Sequence, residues 1–146
     1  MSYDDNNVFA KILRGDIPCE KIFENEHILS FMDIMPQVNG HCLVVPKSPS
    51  IGLLDADPAI FFPLFSAVQH IGNAAKLAFN ADGITVMQFN GAAAGQTVFH
   101  LHVHILPRLA GIPLKPHTGQ MEDIEIIKEN AHLMREALTK LGPLAV

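Results

Sequence analysis

His100-Leu101-His102-Val103-His104-Ile105-Leu106 places three of the chain's eight histidines at alternate positions within five residues. On an extended strand side chains alternate faces, so the three imidazoles would share one face and Leu101, Val103 and Ile105 the other. Two chemistries use such a row. A metal is one, since His-x-His on a strand can chelate an ion. At roughly 3.3 Å rise per residue, however, the outer histidines stand about 13 Å apart at the backbone. Ligands on one Zn²⁺ with Zn–N near 2.1 Å can be only about 4 Å apart. A two-histidine site would want a further carboxylate, thiolate or imidazole, and the neighbouring sequence supplies no acid. Phosphoryl transfer is the other chemistry and fits better. A neutral histidine can be the nucleophile through one ring nitrogen while the other donates to a carbonyl, and adjacent imidazoles can hydrogen-bond phosphate oxygens or protonate a leaving group.

The surroundings point the same way. Residues 83–121 contain no Asp or Glu, although the chain has 15 acidic side chains; their ionisable groups are Arg108, Lys115 and four histidines. A buried sheet explains this for residues 84–89 but not for the polar loop 90–97 or for residues 107–120. A local field opposite in sign to the net charge of −5 suits an anion. Gly95-Gln96-Thr97 puts a flexible turn with backbone N–H groups just before the histidines, as an anion nest requires. Arg108 is a candidate phosphate partner, and His117 lies in a Pro/Gly-rich loop from which it could reach substrate. His27, His70 and His132 read as surface or capping residues.

The elements that must position these groups follow from period and punctuation. Phe9–Arg14 reads as a helical turn closed by Gly15, with Pro18 beyond it. Cys19–Phe23, His27–Met32 and His41–Val45 are strand-like, and Pro46, Pro49 and Gly52 break the pattern. Asp57-Pro58 opens a helix as cap and first-turn proline, and Ile60, Phe61, Leu64, Phe65, Val68, Ile71 and Ala75 carry it to about Phe79 as one apolar stripe. Ile84–Phe89 and Val98–Leu106 are further strands. From Met121 to Leu141, the residues Ile124, Ile127, Ala131, Met134, Leu138 and Leu141 share a face, an amphipathic helix. The sum is an α+β domain with about five antiparallel strands, one long central helix and a C-terminal helix. Residues 1–6 read as a frayed start.

Composition bounds the class. A chain of 146 residues, 49% hydrophobic and 17% charged, is of single-domain size, too apolar to be disordered and too acidic for a general nucleic-acid surface. Cys19 and Cys42 make no metal spacing and suggest a reducing compartment. The start lacks signal-peptide character, and no apolar run reaches the roughly 18 residues of a membrane helix. A cytoplasmic protein without nucleic-acid or membrane partners is expected.

Gly95-Gln96-Thr97-Val98-Phe99-His100-Leu101-His102-Val103-His104-Ile105-Leu106 resembles the defining motif of the histidine-triad (HIT) family. Phe9–Pro18, Phe31–Pro36 and Gly40–Lys47 resemble its N-terminal segment and central strands, so the likeness covers residues 8–108, with 121–141 as a helical extension. The resemblance implies the HIT fold and a homodimer in which two sheets join. It implies a purine nucleotide substrate, no cofactor, and His102 as the nucleophile on the α-phosphorus. By the same resemblance, His100 would orient His102 through its carbonyl, His104 would contact phosphate, and His41 would support the triad. Asn90, Gly95, Gln96, Thr97 and Val98 match phosphate-binding positions; Asp33 matches the ribose carboxylate, and Val8, Phe9, Phe31 and Ile34 the base slot.

The departures from the family matter too. Many bacterial relatives carry a zinc site, but Asn7 and Ala10 stand at its CxxC positions and Pro49 at its histidine, so no metal is expected. Pro107-Arg108 replaces the Gly-Gly of animal Hint proteins and resembles bacterial members and the Fhit branch. Nucleoside phosphoramidates or related conjugates are the implied substrates. Dinucleoside polyphosphates, or a regulatory nucleotide-binding dimer with little catalysis, are the alternatives.

Overall fold

The computed structural model describes residues 1–116 and 120–144. Helix α1 (Val8–Leu13) precedes strands β1 (Lys21–Glu24), β2 (Ile28–Met32) and β3 (Cys42–Pro46). A 3₁₀ turn, Pro58–Ile60, leads into α2 (Phe61–Ala78), followed by β4 (Gly83–Met87), β5 (Val103–Arg108) and α3 (Ile124–Leu141). All pairings are antiparallel, in the order β1-β2-β3-β5-β4. This is the expected α+β architecture, a five-stranded antiparallel sheet with a long central helix and a C-terminal helix. The last strand in sequence is inserted beside β3, which carries the histidines to the middle of the sheet.

Both faces of the central strands are covered, so β2 and β3 are apolar without interruption except at Ser30. Ile28, Met32, Cys42 and Val44 face α2 and α3 in the larger core, which extends from Ile22 to Ala137. Leu29, Phe31, Leu43 and Val45 face the other way and pack with Phe9 of α1 in a smaller cluster. Asp57 caps as expected, its side chain accepting from the Ala59 N–H, and the structure adds Asn7, which caps α1 by accepting from the Ala10 N–H at 2.9 Å.

Several expectations need correction. β5 begins at Val103 rather than Val98, so His100 and His102 precede the strand. The reason lies in β3: the ladder ends at Val44 opposite Val103, and the approaching Pro46 has no N–H to continue it. β4 ends at Met87, short of Phe89. The sheet covers the α2 face formed by Leu64, Ala67, Val68, Ile71, Ala74 and Ala75, which leaves Phe65 43% and Phe62 68% exposed. In α3, which starts at Ile124 rather than Met121, Ile127, Ala131 and Met134 are buried, but the terminal Ile124 and Leu141 are exposed. The start is not frayed, since Tyr3 bonds His100 and the Arg14 guanidinium donates to the Asp5 carbonyl at 2.7 Å.

Candidate active site

The apolar face of the triad segment sets its position. Leu101, Val103 and Ile105 are fully buried in the larger core, so the alternation survives where the ladder does not, and the histidines turn to the opposite side. There a cleft of ≈ 190 Å³ is lined by Val8, Phe9, Phe31, Asp33, Ile34, Thr97, Val98, His102 and His104. Nine residues singled out from the sequence thus converge on one hollow. Its wall is completed by Ile12, Ile17, Pro18, Cys19, Met32, Met35 and Leu43. Sequence reasoning passed over these; the one available signal was register, because Leu43 pairs directly with Phe31 across β2 and β3.

Hydrogen bonds settle which nitrogen of each imidazole carries a proton. His102 Nδ1 lies 2.6 Å from the His100 carbonyl oxygen, which can only accept. The proton is therefore on Nδ1, and Nε2 keeps its lone pair. Burial pushes the His102 pKa down, with the His100 ring adding to this, while the His100 carbonyl and Asp33 oppose it. A neutral imidazole at neutral pH is the outcome. His100 is buried, with Nε2 2.8 Å from the Pro46 carbonyl and Nδ1 2.6 Å from the Tyr3 hydroxyl. Its pKa is also lowered by burial, against the Pro46 carbonyl.

His41 and His104 form a second chain. The Gln37 backbone N–H donates to His41 Nδ1 at 3.1 Å, so the His41 proton sits on Nε2. That nitrogen lies 2.9 Å from His104 Nδ1 and 3.5 Å from Asp33 Oδ2. Donation to His104 Nδ1 in turn places the His104 proton on Nε2. His41 is thus fully buried and bonded to the third histidine of the row. The Phe9 ring meets the His102 ring edge-on at 4.8 Å, and Phe89 lies 5.6 Å from the His104 ring.

Asp33, His41 and His104 bring ligand atoms within 4.8 Å of one another, so the carboxylate missing near the triad in sequence arrives from β2. The donor chemistry still does not suit a metal. A cation on His41 Nε2 would need the proton moved to Nδ1, where the Gln37 N–H already points. Asn7 and Ala10, which stand at the expected CxxC positions, are joined by the α1 cap.

Other expected residues sit outside the cleft lining. Asn90 Oδ1 accepts from the Leu53 N–H at 2.8 Å and from Gln88 Nε2 at 2.9 Å, fastening the loop to residues 51–55. Gln96 is buried; its Oε1 accepts from the Gly91 N–H and its Nε2 donates to the carbonyls of Ile51 and Val98. Gly95 adopts φ +106° beside the Phe89 ring, and its N–H and that of Gln96 bond within the loop. These residues shape the loop that presents Thr97 and Val98. Arg108, at the far end of β5, donates to the Thr85 hydroxyl at 3.1 Å and does not reach the cleft. His117 lies outside the described residues. Asp33 also closes a turn, its Oδ1 accepting from the Met35 N–H at 2.8 Å.

Comparison with known proteins identifies relatives of this chain. The family model of the HIT domain matches residues 14–111. The chain is 40% identical over 104 residues to Protein hit of Bacillus subtilis (strain 168), covering 71% of this chain and 72% of that protein. It is 41% identical over 101 residues to adenylylsulfatase HINT3 of Arabidopsis thaliana, which takes in 69% of this chain but 51% of that longer protein. Among solved structures, a Hit-like protein of Bartonella henselae involved in cell-cycle regulation is 53% identical, with a TM-score of 0.88 over 93% of this chain and 99% of that one.

Proposed function

The chain belongs to the HIT family, and from that premise we propose that it cleaves purine nucleoside phosphoramidates or related nucleotide conjugates at the α-phosphate through a nucleotidyl-histidine. The observation that carries this reading is the 2.6 Å bond from His102 Nδ1 to the His100 carbonyl, which leaves Nε2 as the nucleophilic atom of a cleft-lining ring. The Nε2 lone pair attacks phosphorus as the bond to the leaving group breaks; the leaving group keeps the bonding electron pair and takes up a proton from solvent, departing as a neutral amine in the phosphoramidate case. Positive charge then forming on the ring is stabilised by the carbonyl at Nδ1. Water then adds to phosphorus and gives a proton back to solvent, the P–N bond breaks with its electron pair returning to Nε2, and the neutral ring is restored. In this reading the cleft-lining His104, Thr97 and Val98 meet the phosphate, Asp33 the ribose hydroxyls, and Val8, Phe9, Phe31 and Ile34 the base, which is supported by their sharing one cleft. The relative named an adenylylsulfatase supports an adenylyl conjugate as the substrate type. Dinucleoside polyphosphates were suggested by Pro107-Arg108, and the engagement of Arg108 with Thr85 away from the cleft gives them no support. Comparing kcat/KM on the two substrate types decides between them.

A homodimer joined along β4 completes the proposal. The two sheet edges differ: β1 is short, irregular in register and flanked by Lys21 and Glu24, whereas Gly83-Ile84-Thr85-Val86-Met87 has no charge and a half-exposed Val86. An uncharged edge is a template for pairing. Phe62 and Phe65 of α2 are exposed as well. Among the described residues no helix is long and apolar enough to cross a membrane, and both cysteines are free thiols, in keeping with a cytoplasmic enzyme.

The central test is His102→Ala. It should retain nucleotide binding by calorimetry and lose at least about three orders of magnitude in turnover, since a missing nucleophile leaves only binding and electrostatic catalysis. Mass spectrometry of acid-sparing quenches should show a nucleotidyl adduct on wild type and none on the variant. Undiminished turnover in His102→Ala would remove the nucleophile from the scheme.

A further inference from the structure

We propose that Tyr3, ahead of the first helix and remote in sequence from the triad, is a positioning residue for the nucleophile, acting through the His100 side chain. The inference rests on the reading of His102 given above. The carbonyl that holds His102 in its reactive tautomer belongs to a peptide with no sheet ladder around it, because β5 starts only at Val103. Something else must aim it.

Three bonds do so. The Leu101 N–H, in the same peptide plane, donates to the Ser50 carbonyl at 2.9 Å; in a trans peptide this turns the His100 carbonyl the opposite way. The His100 ring is then pinned at both ends. Nε2–H donates to the Pro46 carbonyl at 2.8 Å, which leaves Nδ1 of the neutral ring as an acceptor, and the Tyr3 hydroxyl fills it at 2.6 Å. The two rings also meet edge-on at 5.7 Å. With a ring only 1% exposed, loss of the hydroxyl strands a buried acceptor, and the ring can flip, change tautomer or shift. Each of these loosens the carbonyl at His102. Tyr3 is absent from the cleft lining, so substrate binding should not register its loss.

The experiment uses the full chain with Tyr3→Phe, which keeps the ring contact and removes the hydroxyl alone, and Tyr3→Leu, which removes both. Tyr3→Phe should lower kcat about tenfold, the scale of a small misplacement of a reacting group, while KM stays within about twofold, the signature of an effect on the reacting step alone. Nitrogen NMR of labelled histidine, with His100 assigned by the signals lost in His100→Asn, should show a single Nε2–H tautomer in wild type and a mixed or shifted His100 signal in Tyr3→Phe. Wild-type kcat in Tyr3→Phe, a rise in KM without a fall in kcat, or an unchanged His100 signal would each overturn the proposal. The NMR arm needs no substrate. A protein in which His102 proves not to be the nucleophile would fail the His102→Ala test while the state of His100 still reported on Tyr3.

Discussion

Four imidazoles lie close together in this protein, and what separates their roles is which atom each one meets. His102 and His100 both have one nitrogen committed to a carbonyl oxygen, and burial lowers the pKa of both below 6.5. As the proposed nucleophile His102 must be neutral, so turnover should persist on acidification until the pH passes below about 6.5, the ordinary imidazole value. A single-turnover pH profile of adduct formation checks this; an acid limb centred above that value would contradict it. The same shifts act on stability. In the unfolded chain these histidines take up a proton at about pH 6.5, and in the folded chain only lower, so below that pH the unfolded state binds more protons and folding weakens. Urea midpoints should therefore be lower at pH 5.5 than at pH 7.5. A midpoint that rises on acidification over this interval would have the wrong sign.

Elements serve the site by where they end. Helix α1 is six residues long, too short to be stable alone, yet it presents Val8 and Phe9 to the cleft. Its Asn7 cap fixes that geometry, and Asn7→Ala should cost about 1 kcal/mol. Its effect on catalysis should appear mainly as a raised KM, measured by initial rates, because the apolar slot and not the nucleophile is disturbed. Gly40, just before His41, shows the same dependence on a turn. It has φ +89°, and a Cβ there would lie 2.6 Å from the Phe79 ring at the end of α2. Gly40→Ala combines a left-handed backbone with a clash, for a destabilisation of roughly 2–4 kcal/mol in urea titration. A neutral result would mean that Phe79 yields freely.

At the scale of the whole molecule, the sheet has one guarded edge and one open edge. The dimer proposed along β4 predicts that Val86→Lys, a charge set in an uncharged edge, shifts the protein from dimer to monomer in sedimentation while its circular dichroism is kept. A monomeric wild type, or a dimer indifferent to this change, would move the interface elsewhere. The larger core draws on β1, α2, the triad segment and α3 together, so α3 is a structural cover for the sheet; it contributes no residue to the cleft.

Much of this was legible in the sequence because it is periodic or local. Alternate histidines with Leu101, Val103 and Ile105 between them announce one polar and one buried face; Asp57-Pro58 and the stripe that follows announce a helix. Period alone does not say whether an extended segment has a partner, so a strand expected from Val98 starts at Val103, where Pro46 stops denying it a donor. Nor does residue type reveal commitment. Asn90 and Gln96, expected at the phosphate, have side chains bonded to Leu53, Ile51 and Gly91, while Arg108 reaches Thr85. The sequence by itself determined the family, the layered fold and a row of three histidines on one face, since these rest on side-chain chemistry at fixed spacing. Only the tertiary structure decided which nitrogen carries each proton, that Asp33 comes to His41, and that Tyr3 reaches His100, because those contacts join residues far apart along the chain and each depends on a direction that no spacing encodes.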